Sequence, residues 1–171
     1  VFNDDKIHTV DYFGVKDTRH FFMSSEVITA AFPSSITAIT GTLLNCFSLT
    51  SVKIPNSVKK IGADAFNSCH SLTSIEIPDS VTEIGGGAFF RCSGLTSITI
   101  GSGVKSIGDY CIYFCTSLTS ITCYATTAPF LGYNNAIYGL PPNGTLHVPQ
   151  GSDYSSWINK LPSGWTIEYL L

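Results

Sequence analysis

Residues 72–94 read LTSIEIPDSVTEIGGGAFFRCSG. The 23 residues before them, 49–71, read LTSVKIPNSVKKIGADAFNSCHS, and the 23 after, 95–117, read LTSITIGSGVKSIGDYCIYFCTS. Leu49, Leu72, Leu95 and Leu118 are 23 residues apart, as are Val52, Ile75, Ile98 and Ile121, and Cys46, Cys69, Cys92 and Cys115. Self-similarity at a fixed period of this length marks a solenoid, in which a unit buries its apolar side only against a neighbour of its own shape. A worn earlier copy, Val27, Ala30, Phe32, Pro33, Ile36 and Ile39, matches at an offset of 22.

The unit translates into local structure. Leu72, Ile75 and Ile77 predict a strand with one face buried. Pro78, like Pro33 and Pro55, ends it because proline has no backbone donor. Asp79–Ser80 is turn chemistry, and Val81 and Ile84 form a second short apolar edge. Gly62, Gly85 and Gly108 either take a backbone shape closed to other residues or let neighbouring coils approach closely. Ala65–Phe66 and Ala88–Phe89, with a Cys three residues on, have a spacing that predicts one or two turns of helix. The expected fold is an α/β solenoid. Parallel strands about 4.8 Å apart line its inner, concave face, and short helical or 3₁₀ turns line the convex side with shallow curvature.

Composition narrows the function classes. Of 171 residues, 44% are hydrophobic and only 12% charged, so Ser and Thr carry much of the polar surface. A net charge of −3 argues against a cationic surface for nucleic acid or membrane. No apolar run is long enough to span a bilayer, and any membrane attachment would come from a segment outside this sequence. The chain begins with Val and reads as a fragment or mature form.

The repeating pattern L-T-S-[IV]-x-I-P-x-S-V-x-x-I-G-x-x-A-F-x-x-C resembles the leucine-rich repeat of the BspA-like family, including its treponemal 23-residue type. The resemblance covers residues 27 to about 123. Cys111–Ile112 in place of Ala–Phe, and Gly101 in place of the strand-ending Pro, depart from it. It implies a right-handed leucine-rich repeat superhelix and a bacterial protein that is extracellular or at the cell surface, a class in which some members bind host matrix proteins or other bacteria. The expected organisation is an amino-terminal cap over 1–26, repeats over 27–123 with units starting near 27, 49, 72, 95 and 118, and a degenerate repeat with a carboxy-terminal cap over 124–171. In that tail Asn135–Ala136–Ile137 echoes the A-F turn and Thr145–Pro149 a strand. Ser152–Asp153 would cap a helix through Tyr154, Trp157, Ile158 and Leu161, and Trp165–Tyr169 would form a last strand.

Catalytic signals are sparse. His8, His20, His70 and His147 sit in no hydrolase or metalloprotease pattern, and His70 reads as a surface-turn residue. Gly85–Gly87 is no phosphate loop, because no Lys-Ser/Thr follows. The four periodic cysteines form a ladder rather than a converging set, so no metal is expected. They read, with Cys111 and Cys123, as free buried thiols. Asn143–Gly144–Thr145 matches the glycosylation sequon without further support.

A non-enzymatic reading with no cofactor remains. The outward positions of the strands form two columns: Thr29, Ser51, Ser74, Ser97 and Ser120, and Ala31, Lys53, Glu76, Thr99 and Thr122. The candidate partner-binding face is Ser51, Lys53, Ser74, Glu76, Ser97, Thr99, Ser120 and Thr122, with Lys53 and Glu76 expected to pair. The partner would be a host or bacterial surface protein or a glycan, met by a monomer. The alternative is a structural spacer within a larger surface protein. Tyr124, Tyr133, Tyr138 and Trp157 are either cap aromatics or a stacking platform for a sugar or peptide.

Overall fold

The structure, a computed structural model, describes residues 9–11, 28–41 and 43–171. It is a parallel β-solenoid of about six turns, with a leucine-rich-repeat-like coil. In chain order the elements are β1 (Thr9–Asp11), β2 (Thr29–Ala31), β3 (Ala38–Ile39), β4 (Ser51–Lys53), β5 (Lys60–Ile61), β6 (Ser74–Ile77) and β7 (Glu83–Ile84). They continue with β8 (Ser97–Ile100), β9 (Ser106–Ile107), β10 (Ser120–Cys123), β11 (Phe130–Leu131), β12 (Asn143–Pro149), α1 (Ser155–Ile158) and β13 (Gly164–Leu170). The amino-terminal cap expected over 1–26, with His8 and His20, lies outside the described residues except for β1, which pairs parallel with β2.

Two stacks of strands run along the molecule. β6, β8, β10, β12 and β13 form one parallel sheet, with β1, β2 and β4 as a separate three-stranded piece on the same side. The two-residue strands β3, β5, β7, β9 and β11 form the second sheet, the short apolar edge read from Val81 and Ile84. The register is one repeat per rung: Ser74 pairs with Ser97 and Ser97 with Ser120. Alternation puts Ile75, Ile77, Ile98, Ile100, Ile121 and Cys123 in the core. The strands end at the Pro column, where Val58 and Val81 donate backbone N–H bonds to Pro55 and Pro78 at 3.0 and 3.1 Å.

The turn side differs from the helices expected there. Among the described residues the A-F segments are stacked turns, and α1 is the only α-helix. The N–H groups of Asp64, Phe66 and Ser68 donate to the carbonyls of Gly86, Ala88 and Phe90 in the next coil, at 2.8–3.0 Å. A helix would need those donors for its own carbonyls four residues back. Two left-handed residues per coil make the alternation possible: Gly41, Asp64, Gly87 and Tyr110 in one column, and Asn45, Ser68, Arg91 and Phe114 in the other, all with φ between 56° and 64°. Coils are therefore hydrogen-bonded to one another on the turn side as well as along the paired strands. The wedge that full helices would supply is missing.

The two readings of the repeated Gly separate cleanly. Gly62, Gly85 and Gly108 are not among the positive-φ residues. A Cβ on Gly85 would lie 2.5 Å from the Ala63 backbone nitrogen, and one on Gly108 2.5 Å from that of Gly86. Close approach of coils, not a special φ, is what requires Gly here.

Ladders fill the interior. The Phe66 and Phe89 rings stack at 5.3 Å and 1°. Cys69, Cys92 and Cys115 are fully buried and donate S–H bonds to the carbonyls of Leu43, Phe66 and Phe89 in the coil before, at 3.1, 3.0 and 3.2 Å. The carboxy-terminal region continues the stack. Ala136 and Ile137 are buried at the A-F position, β12 continues the strand sheet, and β13 pairs parallel along all seven residues of β12. The helix is shorter than expected, Ser155–Ile158, and Asp153 Oδ1 accepts the Ser155 N–H at 2.9 Å in front of it.

Candidate functional site

All eight candidate residues point to solvent from β4, β6, β8 and β10, with those of β4 and β6 exposed and those of β8 and β10 half-buried. They form columns rather than a cluster. Strand register lengthens both columns beyond what the repeat pattern reached. Ser120 is followed by Thr145 and Thr166, and Thr122 by His147 and Glu168. His147 Nδ1 lies 3.4 Å from Glu168 Oε2. The expected Lys53–Glu76 pair is not formed. The ion pair at that coil junction is Lys60 Nζ to Glu83 Oε1 at 2.8 Å, on the second sheet, with both side chains about half exposed. Such a surface pair contributes little to stability.

A seam explains why Lys53 and Glu76 stay apart. Thr50, Thr96 and Thr119 each donate a backbone N–H to the preceding coil, to Ile28, Thr73 and Thr96. The equivalent bond from Thr73 to Thr50 is absent, and among the described residues no strand pairing joins β4 to β6. Val52 is consequently only half-buried where Ile75, Ile98 and Ile121 are buried. A narrow cleft of about 230 Å³, lined by Val52, Lys53, Ile54, Asn56, Glu76 and Pro78, lies along the seam. It shares Asn56, Glu76 and Pro78 with an open groove of about 840 Å³ that runs past Asp79, Thr99 and Ser102 to Tyr124.

The repeat seen in the fold has relatives. A model of the BspA-type leucine-rich repeat region, in six copies, matches residues 40–133. The chain belongs to the BspA-type leucine-rich repeat family. Its fold is similar to the crystal structure of the Treponema pallidum leucine-rich repeat protein, with a TM-score of 0.61 and 25% identity over 78% of this chain and 72% of that one. It is also similar to a leucine-rich cell surface protein of Faecalibacterium prausnitzii (TM-score 0.49, 25% identity, 87% of this chain and 46% of that one). A Bacteroides ovatus leucine-rich repeat protein matches at TM-score 0.44 and 20% identity, over 94% of this chain and 51% of that one. The chain thus spans about half the length of the last two. Among curated proteins none matches.

Membership of the BspA-type family suggests a protein-interaction module and accords with a generally non-catalytic solenoid. The chemistry of the buried groups is quiet. Burial pushes the Cys92 and Cys111 thiols up to about 12, and those of Cys69 and Cys115 well above the ordinary range. A thiol held neutral is a poor nucleophile and a poor ligand. His70 is exposed, stacks on Phe47 at 5.2 Å, and has Nδ1 2.9 Å from the Arg91 carbonyl, which can only accept. Among the described residues no three His, Cys, Asp or Glu side chains group to hold a metal, and no helix is long and apolar enough to cross a membrane. Asp109 is held below the usual carboxylate range first by the Asn134 N–H and then by its side-chain amide, a turn clasp at the surface.

The aromatic residues divide. Trp157 is fully buried and donates Nε1–H to the Pro129 carbonyl at 2.8 Å, so it is a plug and no platform. Tyr154 is buried beside it and donates to the Ala125 carbonyl at 2.7 Å. On the turn side Phe90, Tyr113 and Tyr138 stack in series at 5.5 and 5.4 Å, with Tyr110 and Phe114 edge-on to Tyr113. Tyr133 is 87% exposed and meets Phe130 edge-on. Sequence reading missed the turn-side stack because Phe90 and Tyr113 are 23 apart but Tyr138 is 25 beyond Tyr113, out of phase with the strict period. Tyr124, at 48% exposure, joins no ring stack among the described residues.

Proposed function

We propose that this BspA-type chain is a non-enzymatic adhesion or interaction module, displayed extracellularly or at the cell surface, that engages a protein or glycan partner with its strand side. The observation that carries the reading is the strand face itself. Eight outward side chains come from four successive coils, those of β6, β8 and β10 in ladder register and those of β4 across the seam, and none of them makes a side-chain hydrogen bond or ion pair to a described residue. In this reading the coils form the right-handed superhelix of the family with the strand side innermost. Residues 1–26 and the segment after 124 cap it, and the chain acts as a monomer with no cofactor or nucleic acid. Contacts from small Ser and Thr side chains are individually weak, so affinity would come from many rungs or many copies.

A binding screen of the intact chain against surface proteins and glycans tests this. A partner bound by the wild type and lost in Ser97→Arg, with an unchanged melting temperature, is the expected result. Well-folded protein that binds nothing across the screen favours the spacer reading. The regular, sparsely charged stack also suits a spacer.

A further inference from the structure

The groove between the seam and Tyr124 coincides with the places where the repeat breaks its own pattern. The column that ends each strand reads Pro55, Pro78, Gly101 and Tyr124. Gly101 has no side chain, and a Cβ there would lie 2.5 Å from the Asp79 nitrogen and the Pro78 carbonyl carbon. Gly101 is buried with the Pro78–Asp79 backbone packed where a side chain would stand, and Tyr124 lines the groove beyond it as the only aromatic residue among the strand-side positions of these four coils. We infer that this groove is a saccharide subsite, with the Tyr124 ring as the stacking platform; the inference rests on the interaction-module reading and specifies the partner's chemistry.

Three features select that class of ligand. The polar groups along the groove are largely uncommitted. Asp79 gives only Oδ1 to the Ser102 N–H, at 2.6 Å, whereas Asn56, Glu76 and Thr99 side chains make no hydrogen bond to any described residue. Planar amide and carboxylate groups along one groove with an exposed ring match the vicinal hydroxyls and the C–H face of pyranoses in an extended saccharide. The volume, about 840 Å³, falls within the ~300–1,000 Å³ of ordinary ligand clefts.

Charge decides which saccharides. Glu76 and Asp79 line the groove with no basic residue among its walls, and Lys53 stands only in the adjoining cleft. Like charges repel acidic sugars, so the ligand is neutral or amino-bearing. An extended peptide is disfavoured by the backbone. The floor strands β6, β8 and β10 are already paired with one another, so no free edge offers the main-chain bonds of strand addition. At the seam, β4 and β6 approach within 8 Å between Cα atoms. A strand inserted between them needs about 9.6 Å, twice the inter-strand spacing.

The test titrates the 171-residue chain by calorimetry with hexamers of maltose type, xylose type, N-acetylglucosamine, glucosamine and a uronic acid polymer. At least one neutral or amino-bearing hexamer is expected to bind, and the uronic acid hexamer to bind at least about tenfold more weakly. Tyr124→Ala is expected to weaken binding about tenfold or more while Tyr124→Phe stays within about threefold, with both variants melting like the wild type. Equal affinity of Tyr124→Ala, preference for the uronic acid, or no saccharide binding at all overturns the subsite. A protein partner lost in Ser120→Arg, outside the groove, but kept in Tyr124→Ala would overturn the saccharide subsite and leave the interaction module standing.

Discussion

On the strand side of coils 72–117, Ser74, Glu76, Ser97 and Thr99 face solvent and are replaceable letters on a paired backbone. On the turn side of the same coils, left-handed Gly87, Arg91, Tyr110 and Phe114 hold the chain in a path that few residues adopt. There thiols supply bonds to the neighbouring coil and rings stack from rung to rung. The difference teaches where the fold is decided. Parallel strands tolerate many sequences, whereas a turn that hydrogen-bonds to the next coil instead of to itself needs specific residues at specific places.

The comparison can be broken or sharpened by substitution. The largest effect is expected at Phe89→Ala, which empties a rung of the buried Phe ladder and should cost about 3–5 kcal/mol. An unchanged denaturant midpoint would remove the ladder from the account of stability. Gly85→Ala pushes a Cβ against backbone rather than a yielding side chain and should cost about 2–3 kcal/mol. Stability equal to wild type there would mean that the coils can part at no cost. Cys92→Ala leaves the Phe66 carbonyl without its thiol donor and should cost about 1–2 kcal/mol, with Ser partly restoring it. The smallest effect is expected on the strand side, where Ser74→Ala should change stability by no more than about 0.5 kcal/mol. A larger loss would show that the outward column supports the fold.

The thiols add a pH dependence. In an unfolded chain they titrate near about 8.5, whereas burial keeps Cys92 and Cys111 protonated up to about 12. Their contribution is therefore complete below about pH 8.5. It declines as pH rises above that, because the unfolded chain releases protons that the folded chain retains. Melting temperatures should hold up to about pH 8 and fall from there toward about pH 10; a profile flat throughout would contradict neutral, buried thiols.

Much of this architecture was legible in the sequence, and the reason is periodicity. Leu72, Ile75 and Ile77 recur at the same interval in four coils, and that recurrence fixes strand, register and core without any propensity argument. The turn side was not legible because its signal lies in backbone angles. Asp64, Gly87 and Tyr110 occupy one left-handed column and share no side-chain chemistry, and Ala–Phe–x–x–Cys has the same buried spacing in a helix or in a stacked turn. The hydroxyls of Thr82 and Thr96 double the backbone bonds to the Lys59 and Thr73 carbonyls of the coil before, at 3.1 and 2.9 Å. The candidate face was legible as a set of columns. Tyr124 was legible as a possible stacking platform, whereas the seam and the groove beside it were not, since the seam lies where a ladder fails to form between β4 and β6.

The turn segments also give the stack a direction. Leu43 donates to Ala65, Phe66 to Ala88, Phe89 to Cys111 and Ile112 to Ala136, always from one coil to the next. One side of every coil is thus a plug and the other a socket of matching shape. Excision of residues 73–95, one full period, would rejoin Leu72 to Thr96 and set plug against socket again, whereas removing one residue more or fewer would not. A chain built this way can change its reach only in whole steps.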